Sequence, residues 1–189
     1  MTRSDPVHDG QTSDTSPSCP IWRPLAAARP AMSPDWWQWI ASRDSLTARL
    51  IVAGGERAFR VRLLDQRLIR PRRDEARALG IPFPRHAWRR EVALCLDGRP
   101  WVVARSVAPL ARLRGQRLDR LGERSLGSWL FRLPDLERSP IEVTASPPPF
   151  HPDGGPWGRR SVFRHGHFAV LVQEFFLDRM ADDLGLPSR

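Results

Sequence analysis

The chain reads as an α+β domain built on a single antiparallel β-sheet, with helices in stretches of their own. Three observations predict this. Residues 88–96 and 99–107 are strand-like runs joined by Asp97-Gly98, a pair that supplies the positive φ angles of a type I′ turn. Residues 157–163 and 168–177 flank a Gly166 turn and make a second hairpin. Helical signals fall between the strand signals and do not alternate with them one for one, as a parallel βαβ sheet would require.

Each element has its local cause. Residues 1–30 are rich in Ser, Thr, Asp and Pro and lack the apolar segment of a signal peptide, so a disordered extension is expected there, with the folded domain over 31–189. Ser33 and Pro34 are an N-cap and a first helical residue, and Trp36, Trp37 and Trp39 cannot share one face, so this helix packs on two sides. Asp44-Ser45-Leu46-Thr47 caps a second short helix over 46–50. Residues 58–63 alternate apolar and charged side chains, the pattern of a half-buried strand. A helix over 75–79 ends at Gly80 and the Pro82/Pro84 pair, and another is expected over 126–131 within the stretch 110–131. Residues 141–143 form a short strand, and 144–156, with five prolines, an irregular loop.

Composition removes several chemistries. All 30 basic residues are arginine, so there is no lysine for a Schiff base, a pyridoxal phosphate anchor or a Walker loop. The net charge of +9 favours an anionic partner, but it is spread along the chain and mostly makes a solvated surface. The eight tryptophans alternate with aliphatic residues as core side chains do, and no helix-turn-helix or aromatic RNA-binding motif occurs, so nucleic acid is not the expected partner. Of the five histidines only His165 and His167 are close, flanking the Gly166 turn, and no further ligand spacing completes a metal set. Cys19 and Cys95 lie in unlike contexts and read as free thiols of a reducing, cytoplasmic protein. No apolar run approaches the ~18 residues of a membrane span.

One residue breaks the pattern. Glu174 lies in Ala169-Val-Leu-Val-Gln-Glu-Phe-Phe-Leu177, a run apolar on both faces. It shares a face with Val170, Val172 and Phe176. A carboxylate there must lose its charge, find a cation or meet a ligand, and a buried pair rarely outperforms an apolar replacement in stability. Arg90, inside the first hairpin and on a face with Trp88, Val92 and Leu94, is a candidate partner across a shared cavity; a plain salt bridge between the two is the competing reading. Arg159 and Arg160 add two cations, of which strand alternation sends only one to any given side.

At these residues the chain resembles the chorismate pyruvate-lyase family. The segments run in order: Asp44-Ser45-Leu46-Thr47; Trp88-x-Arg90-Glu91 through Asp97-Gly98-x-Pro100-Trp101; Leu121-Gly122 with Leu126-Gly127; Leu130-Phe131; Trp157-Gly158-Arg159-Arg160-Ser161; and Glu174-x-Phe176-Leu177. The resemblance implies a single antiparallel sheet whose helical flaps close over a buried ligand pocket. It also implies conversion of chorismate to 4-hydroxybenzoate and pyruvate for ubiquinone synthesis, without metal or organic cofactor; a monomer is expected. It further implies that Arg90 and Glu174 hold the aromatic acid together with main-chain groups at Leu46 and Leu126, where Leu46 replaces a frequent methionine. Arg159 or Arg160 is the expected contact for the second carboxylate. The same fold is similar to ligand-sensing domains of bacterial regulators, so a non-catalytic aromatic-acid-binding domain is the alternative.

Overall fold

The structure, a computed structural model, describes residues 19–83, 85–113 and 118–188. Residues 1–18 of the expected extension, Pro84 of the helix-ending pair and 114–117 of the stretch 110–131 lie outside the described residues.

Strand pairing organises the molecule. In chain order the strands are β1 (Arg23–Pro24), β2 (Phe59–Ile69), β3 (Ala87–Leu96), β4 (Arg99–Pro109), β5 (Glu137–Arg138), β6 (Glu142–Thr144), β7 (Trp157–His165) and β8 (Phe168–Phe176). They form one antiparallel sheet in the order β1-β6-β7-β8-β4-β3-β2, with β5 pairing the outer part of β7. The helices are α1 (Leu25–Ala28), α2 (Pro34–Ile40), α3 (Leu46–Gly54), α4 (Arg73–Leu79), α5 (Leu126–Leu130) and α6 (Asp178–Leu184).

Local chemistry sets most of these bounds. Asp97 (φ 48°) and Gly98 (φ 75°) make the tight β3–β4 turn that the Asp-Gly pair predicts. Ser33, Ser45 and Ser125 cap α2, α3 and α5 by accepting from the N–H three residues on. Helix α4 ends at Gly80, in the left-handed region. Two elements run further than the sequence suggested: α3 continues to Gly54 and β2 to Ile69. Two more, β5 and α6, carry no clear signal. The domain boundary drawn at residue 31 falls too late, because Arg23–Pro24 pairs with β6 and Trp22 packs on Phe175.

Both sheet faces are covered, which is why β8 reads as apolar on both sides. On one face α2, α3 and α6 bring Trp36, Ile40, Leu50 and Met180 onto Leu94, Val102 and Phe176. Nearby, Leu126 and Leu130 of α5 pack with Trp88, Phe163 and Val170. On the other face α4 sets Leu79 against Val107 and Leu171, while Trp22 and Phe150 of the proline-rich loop cover Phe175.

Candidate active site

The sheet order places β4 between β3 and β8, so the two strands carrying Arg90 and Glu174 are not neighbours. They are two strand spacings, ~10 Å, apart. The register nevertheless turns them to one face. Val92, Ala104, Glu174 and Arg159 form one row, and Arg90, Ser106, Val172 and Ser161 the next. All of these side chains but Ser161 floor a pocket roofed by α3 and α5, with Leu46, Leu126 and Leu130 above and Phe163 and Arg138 at one side. Its free volume is about 60 Å³. That is below the ~150 Å³ that admits a benzene-sized guest, so a ring acid enters only when the roof gives way.

The charges are not paired as the simplest reading had it. The Glu174 Oε2 accepts from Nε of Arg159 at 2.6 Å, so its cation comes from β7 and not from Arg90. Arg159 is held at the end of α2 as well, its Nη1 donating to the carbonyls of Trp39 (2.8 Å), Ile40 (3.3 Å) and Ser42 (3.0 Å). A cation is favoured there, where helix carbonyls lack partners. Glu174 remains only 18% exposed.

Arg90 is 2% exposed. Its Nη2 donates to the carbonyls of Gly122 (2.6 Å) and Arg124 (3.0 Å), whereas Nε and Nη1 have no hydrogen-bond partner among the described residues. No carboxylate among the described residues lies within ion-pair distance of it. Burial lowers its pKa, yet a guanidinium keeps its proton under ordinary conditions. A desolvated cation with two vacant donors beside a pocket is a receptor for a planar anion.

Leu46 and Leu126 are the first residues of α3 and α5, and both are buried against the pocket. At that position the backbone N–H has no partner within its own helix. The two helices are tied to each other by Thr47 Oγ1 and Ser125 Oγ at 2.7 Å.

Arg160 corrects the sequence reading. Alternation sends it to the opposite face, where it bonds Asp74 (3.0 Å) and Glu142 (2.8 Å) and stacks over Trp22. It is neither a pocket contact nor surface charge, being 7% exposed. Gly158 beside it has no room for a side chain, since an added Cβ would lie 2.8 Å from the ring of Phe175.

Sequence reasoning missed Arg138 and Asp44, which also line the pocket. Arg138 lies on β5, two residues long, where no periodicity can mark it. Its Nε donates to Ser161 Oγ (3.1 Å) and its Nη1 to the Ser42 carbonyl (3.3 Å), and it rests over the Phe163 ring. Burial above all, then the nearby charges of Arg159 and Arg43, pushes its pKa down to about 10, with Glu174 opposing.

The assembled site has at one end a guanidinium with no carboxylate partner among the described residues, then an apolar floor, and an arginine-bound carboxylate at the other end. That suits a flat ring with an acid group on one side and polar substituents on the far side.

Comparison with known proteins agrees. The family model described as chorismate lyase matches residues 19–184. A protein of Chromohalobacter salexigens named "Probable chorismate pyruvate-lyase" is 60% identical over 93% of this chain and 98% of its own. One of the same name from Pseudomonas aeruginosa is 41% identical over 90% and 98%. Among solved structures, that of PhnF from Mycobacterium smegmatis superposes with a TM-score of 0.53 at 16% identity, covering 74% of this chain and 66% of that one, a likeness of fold alone. From residue 19 to residue 184, through every element that builds the pocket, this chain belongs to the chorismate lyase family.

Proposed function

We propose that this protein is a chorismate pyruvate-lyase, eliminating pyruvate from chorismate to leave 4-hydroxybenzoate, the aromatic acid used for ubiquinone synthesis. As a member of its family it is a lyase acting on chorismate. It works in the cytoplasm as a monomer, without metal or organic cofactor. The observation that carries the reading is Arg90, a buried cation with two unfilled donors, facing across an apolar floor to Glu174.

The ring carboxylate of chorismate sits on Arg90, assisted by the N–H groups of Leu46 and Leu126. Glu174 then meets the C4 hydroxyl and the neighbouring C3 ether. The C3–O bond breaks and its electron pair leaves with enolpyruvate. The C4–H pair closes the aromatic ring as that proton departs, and the enol takes up a proton to become pyruvate. Electrons balance within the substrate, so no redox partner is needed. The protein contributes alignment and charge placement, which are worth ~7–11 kcal/mol when a reactive conformation is held.

The test is incubation of purified protein with chorismate alone, following the ultraviolet absorbance of 4-hydroxybenzoate and assaying pyruvate. Equimolar products are expected. Binding of both acids without turnover would overturn the lyase reading in favour of a non-catalytic aromatic-acid domain.

A further inference from the structure

We infer that Arg138 is the second anion anchor of the pocket, receiving the enolpyruvyl carboxylate of chorismate, a role for which the sequence pointed to Arg159 or Arg160. The inference rests on the lyase reading and deepens it. A dianionic substrate brings two carboxylates, and a buried pocket must answer each with a cation or lose the hydration energy of the second. Three guanidinium groups line the pocket: Arg90, Arg138 and Arg159.

Their partners separate them. Arg159 is neutralised by Glu174 and engaged by three carbonyls, so it has no charge to give without abandoning Glu174. Arg138 touches only neutral acceptors, Ser161 Oγ and the Ser42 carbonyl, and no carboxylate among the described residues pairs with it. Its Nη2 has no partner among the described residues. Two nitrogens of the guanidinium are fixed by the two bonds and its face by Phe163, which leaves the planar group held in place with donor capacity unfilled.

Placement agrees with the chemistry. β5 pairs with residues 163–164 of β7, and the Arg138 side chain reaches back along that strand to Ser161 and to the Ser42 carbonyl, which Arg159 also contacts. β3, with Arg90, lies three strand spacings, ~14 Å, from β7. With the ring carboxylate on Arg90 and the C4 hydroxyl at Glu174, the adjacent C3 ether and its carboxylate fall at the Arg138 end. Arg43, Arg138 and Arg159 outnumber Glu174 and Asp44 there, so this end holds a net positive charge before substrate arrives. The same charge opposes the negative charge that grows on the departing enolate.

The product separates anchor from scaffold, because 4-hydroxybenzoate keeps the ring carboxylate and lacks the enolpyruvyl one. Arg138→Gln and Arg138→Lys are compared with the unaltered chain. Chorismate turnover is followed by absorbance, and the affinities for chorismate and for 4-hydroxybenzoate by tryptophan fluorescence. Arg138→Gln is expected to raise the KM for chorismate roughly tenfold to a hundredfold, the range for a charged hydrogen bond, while product affinity stays within about twofold. Arg138→Lys recovers part of the loss. Equal weakening of both ligands, or of neither, would overturn the assignment, the first by making Arg138 scaffold and the second by making it idle. If the unaltered protein does not turn chorismate over, the lyase reading fails on its own. The contrast between the two affinities still decides the role of Arg138: selective loss of the dianion upholds it, and anything else removes it.

Discussion

At the scale of single residues, the site is a division of labour among arginines. Arg159 neutralises Glu174, Arg90 keeps two donors open, and Arg160 belongs to the other side of the sheet. Removing the open one should be the more damaging to chemistry. Arg90→Ala is expected to lower kcat/KM by about a hundredfold or more and to weaken 4-hydroxybenzoate to a similar degree, since both ligands carry the ring carboxylate. Unaltered steady-state kinetics would take Arg90 out of the site. Glu174 offers Arg159 one oxygen and leaves Oε1 without a partner among the described residues. If that oxygen takes the ring proton, Glu174→Gln loses kcat by ~10²–10⁴-fold with KM little altered. That loss is the expected result; a near-normal kcat would restrict Glu174 to holding the substrate. That Glu174 needed a partner was legible in its sequence, because a carboxylate in an apolar strand has few alternatives. Its partner was not legible, because Arg90 and Arg159 both satisfy the same alternation and only the strand order tells them apart.

At the scale of elements, two short helices roof the pocket, and their serine caps do two tasks. Ser125 accepts from the Ser128 N–H at 3.4 Å and meets Thr47 of α3 at 2.7 Å, so it both starts α5 and fastens it to α3. A five-residue helix has little stability of its own. Ser125→Ala is therefore expected to cost ~0.5–2 kcal/mol in chemical denaturation and to speed amide exchange selectively in α5. Exchange unchanged in α5 would show that packing of Leu126 and Leu130 holds the roof without the tie. The narrow free volume beneath gives the roof its functional weight, because ligand passage requires it to part. Hairpins and capped helices were readable from sequence since their signals are local: Asp-Gly at a turn, Ser before an apolar run, Gly in a left-handed stop. β5 was not, because two residues carry no period, and its pairing depends on β7 already being in place.

At the scale of the whole molecule, the face opposite the pocket is closed by a buried polar network. Arg105 donates to Glu75 through two nitrogens (2.6 and 3.0 Å) and to Glu91 (2.7 Å), and Gln173 donates to Glu75 at 2.8 Å. The network pins α4 to the back of β4 and β8, behind Glu174. Burial by itself raises the pKa of Glu75, but the Arg105 contacts and the other hydrogen bonds outweigh it, and the net value lies below the usual carboxylate range. Stability from this group is therefore complete above its unfolded pKa of ~4.3 and is lost as pH falls through the lower folded value. Glu75→Gln should cost ~3–5 kcal/mol near neutrality, by leaving Arg105 short of its counter-charge, and should flatten the acid limb of a denaturation profile. An acid limb identical to that of the unaltered chain would place the sensitivity elsewhere. The chain's own pattern determined the antiparallel sheet, both hairpins, the capped helices and the presence of a carboxylate that needed a reason. All of these follow from interactions within a few residues. Glu174 met Arg159 and not Arg90 because β7 pairs β8 while β4 lies between β8 and β3; the β7–β8 register fixed the face that Arg160 serves, and Arg138 reached the pocket only through the pairing of β5 on β7. Charge pairing acts through space, and distance between strands is a property of their order, which no local signal encodes.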